Sequence, residues 1–133
     1  MEKTLTNYDI VTILNGIQQE VFTNKEAEFN LKFAWKLRKN IKTLMSLNDI
    51  YVEEMQKIEQ AFADDEHSQV TTNENGEETR QVKREYAKDF NSKRNELLGC
   101  ENKVQVEMAD IDEMGVEKIS PVVLDLLSFM INE

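Results

Sequence analysis

The feature that most constrains this fold is the stretch of residues 28–62, which contains neither glycine nor proline. Its apolar residues recur in a seven-residue pattern, with Ala34, Ile41, Met55 and Phe62 at the first position and Leu37, Leu44, Tyr51 and Ile58 at the fourth. A sustained repeat of this kind keeps the apolar stripe of a helix turned toward one partner helix. At 1.5 Å per residue the stretch would form a rod of roughly 50 Å. We therefore expect a coiled coil or a long antiparallel helical hairpin.

The apolar stripe predicts an oligomer seam, which comprises Leu37, Ile41, Leu44, Asn48, Tyr51, Met55 and Ile58. Asn48 is the one carboxamide in it. A buried asparagine can fix the register of paired helices at a cost in stability, whereas an asparagine at the edge of a seam simply meets water. Both interpretations stay open. A symmetric homo-oligomer would bury the seam and an apolar final helix together.

Three further helices are predicted, at about residues 7–22, 82–98 and 121–131. Thr6 or Asn7 can cap the first, because a short polar side chain accepts a hydrogen bond from an otherwise unpaired amide. Gly99 would end the helix at about residues 82–98, and Ser120 with Pro121 would begin the helix at about residues 121–131. Apolar residues cover more than one side of the last helix, which must therefore be buried. They are Val122, Val123, Leu124, Leu126, Leu127, Phe129, Met130 and Ile131.

Two segments carry weaker signals for strands. Residues 103–109 alternate apolar and polar side chains, as a half-buried strand does, and such a strand needs a partner. Residues 63–81 contain Asn75-Gly76, which favours a two-residue type I′ turn, so this segment is either a hairpin or a loop. That hairpin, or another copy of the chain, could pair with the strand. The prediction is one mainly α domain over residues 1–133, with a minor β element.

Composition favours a cytosolic protein. Sixteen basic and 26 acidic residues give a net charge of −10, which opposes direct binding to nucleic acid. The single cysteine, Cys100, cannot form an internal disulfide and fits a reducing compartment. No apolar run is long enough to span a membrane, and the first residues lack the apolar core of a secretory signal. We expect no membrane partner.

Signals for catalysis or metal binding are sparse. His67 is the only histidine, which leaves little for a multi-histidine metal site or a serine–histidine–aspartate triad. Asp64, Asp65 and Glu66, together with His67, could hold a divalent cation, but acidic loops of this kind are commonly just solvated. The expectation is a protein that is not an enzyme and that has no catalytic residues, no metal and no cofactor.

Charge is unevenly distributed along the longest predicted helix. Between Glu28 and Asp49 there is no acidic residue, yet that interval holds five basic residues and the only tryptophan. They form the predicted ligand-binding set: Lys32, Trp35, Lys36, Arg38, Lys39 and Lys42. The indole ring can stack on a base while the cations hold phosphates. In the alternative interpretation, acidic residues of the C-terminal region neutralise the basic ones and Trp35 packs under the first or last helix.

Two stretches of the sequence carry a family resemblance. The first runs from Asn7 through Phe33-Ala34-Trp35-Lys36-Leu37-Arg38-Lys39-Asn40-Ile41-Lys42 to Ile58, and the second comprises Lys103-Val104-Gln105-Val106-Glu107-Met108, Ile119-Ser120-Pro121 and Phe129-Met130-Ile131. Together they resemble a family of small uncharacterised proteins from tailed bacteriophages and prophages of Gram-positive bacteria. The resemblance covers the chain from about Asn7 to Ile131 and rests on patterns. It implies a phage gene product in the host cytoplasm, without an assigned activity or functional residues.

With that resemblance, the sequence favours a phage-encoded interaction protein. It would counter host defence by sequestering a nucleotide signal, a phosphorylated small molecule, or by binding a host defence protein. One alternative is a virion or assembly component that acts through helical self-association. A second alternative is an acidic mimic of DNA that inhibits a host protein, with Glu53, Glu54, Glu59, Asp64, Asp65 and Glu66 in place of phosphates.

Overall fold

A computed structural model describes residues 1–22 and 28–132. The chain packs as two compact units, one comprising Met1–Asn48 and the segment from Glu101 onward, the other Asp49–Cys100. The described residues form four α-helices and four strands, which pair as two two-stranded sheets. The mainly helical prediction with a minor β element is confirmed. That the whole chain forms one domain stays a prediction.

The first unit opens with strand β1 (Glu2–Thr6) and helix α1 (Asn7–Ile17). Thr6 caps α1: its hydroxyl accepts a hydrogen bond from the Asp9 N–H at 3.0 Å, and the Asp9 carboxylate accepts one from the Thr6 N–H at 2.9 Å. This reciprocal pair satisfies two amides that the helix itself leaves unpaired. A π-helical turn, Gln18–Phe22, then continues α1.

Helix α2 (Leu31–Ala61) is the longest element, and its first half contributes to the core of the first unit. Leu37, Ile41 and Leu44, which belong to the predicted seam, are buried there. The core around them also contains residues of α1 and of the C-terminal segment, including Ile10, Ile17, Val21, Val104, Val106, Leu127 and Met130. This part of the apolar stripe therefore packs within one chain, and a repeat pattern alone cannot separate that case from packing between chains.

The β1 strand pairs antiparallel with the strand that follows the second unit. That strand is β4 (Glu101–Gln105), and Thr6 lies opposite Glu101. The intervening strands β2 (Ser68–Thr72) and β3 (Glu78–Val82) pair with each other in a separate sheet. The partner is thus neither the hairpin nor a second copy, the two candidates that the sequence offered. Beyond β4 the chain stays extended, and the Val106 N–H donates to the Met1 carbonyl at 2.8 Å.

The first unit ends with a 3-10 turn (Ile111–Met114), a short helix and a second 3-10 turn (Ser128–Met130). In chain order that helix, Pro121–Leu127, is α4. The Ser120 hydroxyl caps it by accepting a hydrogen bond from the Val123 N–H at 3.2 Å. The predicted burial holds for Val123, Leu127, Phe129 and Met130, whereas Leu124, Leu126 and Ile131 are half-buried and Val122 is 55% exposed.

The second unit contains the end of α2, the β2–β3 hairpin, a 3-10 turn (Arg84–Tyr86) and helix α3 (Ala87–Leu98). In this part of α2, Met55 is buried, and Tyr51 and Ile58 are half-buried. Asn48, at the end of the first unit, is half-buried as well. A long antiparallel hairpin is not confirmed, because α3 has 12 residues and α2 has 31, and the hairpin stays a prediction.

The turn of the β2–β3 hairpin differs from the type I′ turn expected at Asn75-Gly76. A type I′ turn needs positive φ at both residues, and among the described residues only glycines have it. Asn73 organises a longer loop instead: its side-chain oxygen accepts hydrogen bonds from the N–H groups of Asn75 and Glu77, each at 2.9 Å. The error arose because asparagine side chains build such loops as readily as Asn-Gly pairs build tight turns.

Within the described part of the chain, no helix combines the length and the apolar character needed to cross a lipid bilayer.

Candidate functional site

Trp35 lies on the solvent side of α2 and is 61% exposed. The ammonium group of Lys39 lies 5.4 Å from the centre of its ring. Residues four apart lie on the same side of a helix, so the helix itself places this cation against the ring. Trp35 is therefore not packed under the first or last helix, as the alternative interpretation of the sequence expected.

Lys36, the residue after Trp35 on the adjacent side of α2, is held by the C-terminal segment. Its Nζ donates hydrogen bonds to the Met108 carbonyl at 3.0 Å and to the Glu113 carboxylate at 3.0 Å. The side chain of Lys32 reaches the same carboxylate at 3.9 Å and is 76% exposed. The neutralisation by C-terminal acids that the sequence left open therefore occurs at Lys36 and, more loosely, at Lys32.

Glu113 is the acid that receives these contacts. The hydrogen bond from Lys36 is the largest cause that lowers the pKa of Glu113, and the Asp110 N–H and the charge of Lys32 act in the same direction. The Asp110 N–H donates to Glu113 at 3.1 Å, closing the capping box of the 3-10 turn. Lys36 and Glu113 thus fix that turn against α2, and a ligand could recruit Lys36 only by breaking this pair.

The remaining predicted cations point in two directions. The Arg38 guanidinium lies 5.9 Å from the centre of the Phe22 ring, beside the π-helical turn. Lys39 and Lys42 are exposed, and their spacing of four and three residues continues the stripe from Trp35. We call Trp35, Lys39 and Lys42 the basic stripe. They are exposed on one side of α2 and have no ion pair among the described contacts, whereas Lys32, on the same side, reaches Glu113.

A groove of about 510 Å³ runs beside the basic stripe. It lies between α2 and the extended segment around β4, and its lining residues are Lys39, Asn40, Lys42, Thr43, Ser46, Gln105 and Glu107. Glu107 is the one acid among these lining residues, so the two lysines leave the groove with a positive balance. The alternating pattern of residues 103–109 predicts that Gln105 and Glu107 face outward, but it does not reveal that α2 lies beside them.

Asn40 is the residue of this region that the sequence reasoning missed. It is 2% exposed, and its carboxamide accepts a hydrogen bond from the Glu107 N–H at 2.8 Å and donates one to the Glu107 carbonyl at 3.0 Å. In the seven-residue pattern Asn40 falls beside the seam, where a polar residue gives no sign of burial. By pairing with both backbone groups of Glu107, it fixes one wall of the groove.

The acidic turn after α2 brings Asp64, Glu66 and His67 together, with one ligand atom of each within 4.8 Å of the others. The Asp64 carboxylate accepts hydrogen bonds from the backbone N–H of His67 at 3.0 Å and from its Nδ1 at 2.6 Å. The side-chain hydrogen bond is the largest cause that lowers the pKa of Asp64. An aspartate that caps its own turn accounts for this approach without a cation.

Comparisons with protein-family models, with curated proteins and with solved structures find no match for the chain.

Proposed function

We propose that the chain is a non-enzymatic interaction protein whose basic stripe binds a phosphorylated small molecule with a planar base. The observation that carries the proposal is Trp35, an aromatic ring that is 61% exposed and has an ammonium group 5.4 Å from its centre. Single exposed apolar residues are common on proteins. Here, however, Lys39, whose ammonium group lies beside the ring, also lines a groove whose balance of charge is positive.

The chemistry of the stripe suits the two parts of a nucleotide. The indole ring offers a stacking platform for a base, and stacking of this kind contributes about 1–3 kcal/mol. Lys39 and Lys42 offer point charges for a phosphate, and the Gln105 carboxamide can donate a further hydrogen bond from the opposite wall. All these groups are near solvent, so the electrostatic part of binding weakens as salt is added.

The biological setting that we propose follows from the family resemblance of residues 7–131. A phage protein that holds a nucleotide signal in the host cytoplasm would counter a defence system that depends on that signal. Sequestration needs affinity and no bond-breaking step, which is consistent with a chain whose one histidine is bound in a local turn. The same stripe would also fit an acidic surface on a host defence protein.

Native mass spectrometry of the purified chain, mixed with a host nucleotide extract, tests the proposal directly. We expect a bound species whose mass, after denaturation, matches a phosphorylated small molecule. Titration with mononucleotides and cyclic dinucleotides can then be followed by fluorescence. Trp35 is the only tryptophan, so quenching reports on this site alone.

Variants of the stripe sharpen the test. Replacing Trp35→Ala should weaken binding about 5- to 150-fold, the equivalent of the stacking energy, measured by calorimetry because the fluorophore is lost. Lys39→Ala and Lys42→Ala should weaken it and reduce its salt dependence. Lys93→Ala, on the exposed surface of α3, is the matched control. If the extract leaves no ligand on the chain and no nucleotide quenches Trp35, the proposal is wrong.

A second candidate function is assembly through self-association, and the exposed apolar residues of α2 favour it. Leu31 is 86% exposed and Met45 is 54% exposed on the same helix as Trp35. Two copies that cover these side chains would gain apolar burial that one copy leaves unused. This interface would use a different side of α2 from Leu37, Ile41 and Leu44.

DNA mimicry ranks below both candidates. A mimic needs carboxylates that are free to meet the cations of a nucleic-acid-binding protein. Glu54 already accepts a hydrogen bond from Lys57 at 2.9 Å, and Asp65 accepts one from Arg80 at 3.2 Å. Two of the acids proposed to imitate phosphates are therefore matched by bases of the same unit.

A further inference from the structure

A groove of about 590 Å³ lies inside the second unit, away from every residue used so far for binding. It is formed by the end of α2 and the two residues that follow it, by strands β2 and β3, and by helix α3. Its lining residues are Glu59, Phe62, Ala63, Ser68, Arg80, Gln81, Val82, Ala87, Phe90, Asn91 and Arg94. The volume is within the range of clefts that hold small organic molecules.

The floor of this groove is aromatic. Phe62 is 7% exposed, and its ring meets that of Phe90 edge-on, with the ring centres 5.2 Å apart. His67 packs on Phe62 from another side, with ring centres 5.4 Å apart. These contacts hold the two phenylalanine rings in place, so a flat molecule entering the groove meets a rigid apolar surface.

Two guanidinium groups stand at the rim. Arg80 is positioned by the buried Ser68, whose hydroxyl accepts a hydrogen bond at 2.9 Å, and by Asp65 at 3.2 Å. Both of these bonds use Nη1, so within the described contacts Nη2 and Nε keep their donors for another acceptor. The Arg94 guanidinium lies 5.4 Å from the centre of the Phe90 ring, which orients it over the floor.

The charges of the lining select the ligand. Arg80, Arg94 and the Glu59 carboxylate line the groove, Asp65 binds Arg80 from outside the lining, and the carboxamides of Gln81 and Asn91 add neutral donors. A guanidinium matches the geometry of a carboxylate or a phosphate better than that of any neutral group. An aromatic floor beneath an arginine rim therefore favours a molecule with an oxyanion at one end and a planar ring at the other.

We propose that the groove of the second unit is a separate binding site for a small aromatic oxyanion, with its ring on Phe62 and Phe90 and its carboxylate or phosphate between Arg80 and Arg94. The site goes beyond the nucleotide-binding stripe and does not depend on it. No residue is shared by the two sites, so each can fail alone.

Four simple probes test this site on the full-length chain by amide chemical-shift mapping. Benzoate and phenyl phosphate carry both ring and oxyanion, inorganic phosphate lacks the ring, and benzylamine reverses the charge. We expect the first two to shift the amides of Arg80, Gln81, Asn91 and Arg94. Phosphate should bind at least about tenfold more weakly because it leaves the aromatic floor uncovered. Whether benzoate or phenyl phosphate binds more tightly distinguishes a carboxylate ligand from a phosphate ligand.

Substitutions then assign the roles. Arg80→Gln and Arg94→Gln should each weaken the preferred probe about tenfold or more, the range expected for a lost charge-assisted hydrogen bond. Arg84→Gln removes the same charge from the same unit outside the groove and should leave binding unchanged. Trp35→Ala should also leave it unchanged. Arg94→Gln serves if Arg80→Gln unfolds the hairpin, since among the described contacts Arg94 makes one with a ring and no hydrogen bond.

Three results would overturn the site: benzylamine binding as tightly as benzoate, Arg84→Gln weakening binding as much as Arg94→Gln, or none of the probes shifting the groove amides.

Discussion

Asn40 joins α2 to the extended segment after β4 through both backbone groups of Glu107, at 2.8 and 3.0 Å. A carboxamide can donate to a carbonyl and accept from an amide at the same time, through separate atoms. It therefore imitates one rung of a β-ladder at a place where no strand lies alongside. Without it, the Glu107 amide would need another hydrogen-bond partner.

Replacing Asn40→Ala should destabilise the first unit by about 1–3 kcal/mol, because it leaves polar backbone groups without partners. Urea unfolding followed by Trp35 fluorescence measures this change in the unit that contains Asn40. Asn95→Ala, at an exposed position of α3, should stay within about 0.5 kcal/mol of the wild type. Equal stability of the two variants would show that Asn40 does not carry the connection.

Glu113 gives the molecule a defined response to acid. Its pKa is lowered from the ordinary 4.5, chiefly by the hydrogen bond from Lys36. A carboxylate with a lowered pKa in the folded state contributes stability that is fully present above its unfolded pKa. That contribution is lost as the pH falls through the folded pKa.

The stability difference between the wild type and Glu113→Gln should therefore be constant near neutral pH and shrink as the pH falls below the ordinary carboxyl pKa. Urea titrations at a series of pH values measure it. Glu117→Gln, an exposed neighbour in the same segment, should show a smaller difference at neutral pH. A difference for Glu113→Gln that does not change between neutral pH and about pH 3 would contradict the assignment.

At the scale of elements, Gly16 marks the contact between α1 and α4. A Cβ atom at this position would overlap the Leu126 side chain, so the glycine allows the two helices to approach. From the sequence alone, Gly16 is a defect that weakens α1 by about 1 kcal/mol relative to alanine. The packing against Leu126 explains why a glycine is present here, which helix propensity alone does not.

Gly16→Ala should consequently fail to stabilise the protein, because overpacking at Leu126 offsets the gain of about 1 kcal/mol in helix propensity. Leu126→Ala removes the obstacle, and the double variant should be more stable than the sum of the two single changes predicts. A double-mutant cycle by thermal or urea unfolding measures this coupling. Strict additivity would mean that α1 and α4 do not touch at Gly16.

The sequence predicted the elements whose own pattern is strong and missed those that depend on distant partners. Seven-residue spacing determines a helix face, and Leu37, Ile41 and Leu44 share one face of α2 that is buried within the chain; their role in an oligomer seam stays a prediction. Strand β1 was not foreseen, because five residues with a mixed pattern become a strand only when β4 pairs with them. Pairing between residues so far apart leaves no local signature.

The candidate site was predictable to the same extent. The interval without acids pointed to Trp35, Lys39 and Lys42, and the structure places them in solvent on one stripe. Lys36 belongs instead to a structural pair, since Glu113, far along the chain, lies within 3.0 Å of it. The sequence did not predict the aromatic groove of the second unit. Phe62 follows α2, Arg80 lies in β3 and Arg94 lies in α3, so only the folded chain brings them together.

At the scale of the whole molecule, self-association through α2 is a proposal, and it depends on which side of the helix one copy leaves exposed. Leu44 is fully buried within its own unit, whereas the adjacent Met45 is 54% exposed. Introducing a charge at each of these neighbours separates folding from association. A buried, unpaired carboxylate is costly, but an exposed one is not.

Leu44→Asp should unfold the first unit, seen as a loss of helical circular dichroism. Met45→Asp should keep the fold and, if α2 mediates self-association, lower the mass measured by sedimentation. The wild type and Thr43→Asp, another exposed position of α2, are the controls. A folded Leu44→Asp protein would place this part of the stripe outside the core.

The pairing of β1 with β4 also sets an order of events on the ribosome. Thr6 of β1 lies opposite Glu101 of β4. At about 5–20 residues per second, β4 is synthesised about 5–20 s after β1. During that interval all residues of the second unit, Asp49–Cys100, are synthesised. The nascent chain can thus complete its middle before its beginning has a partner. Until then residues 2–6 lack the partner that makes them a strand. The segment is short and carries Lys3, two properties that discourage pairing with a neighbouring chain.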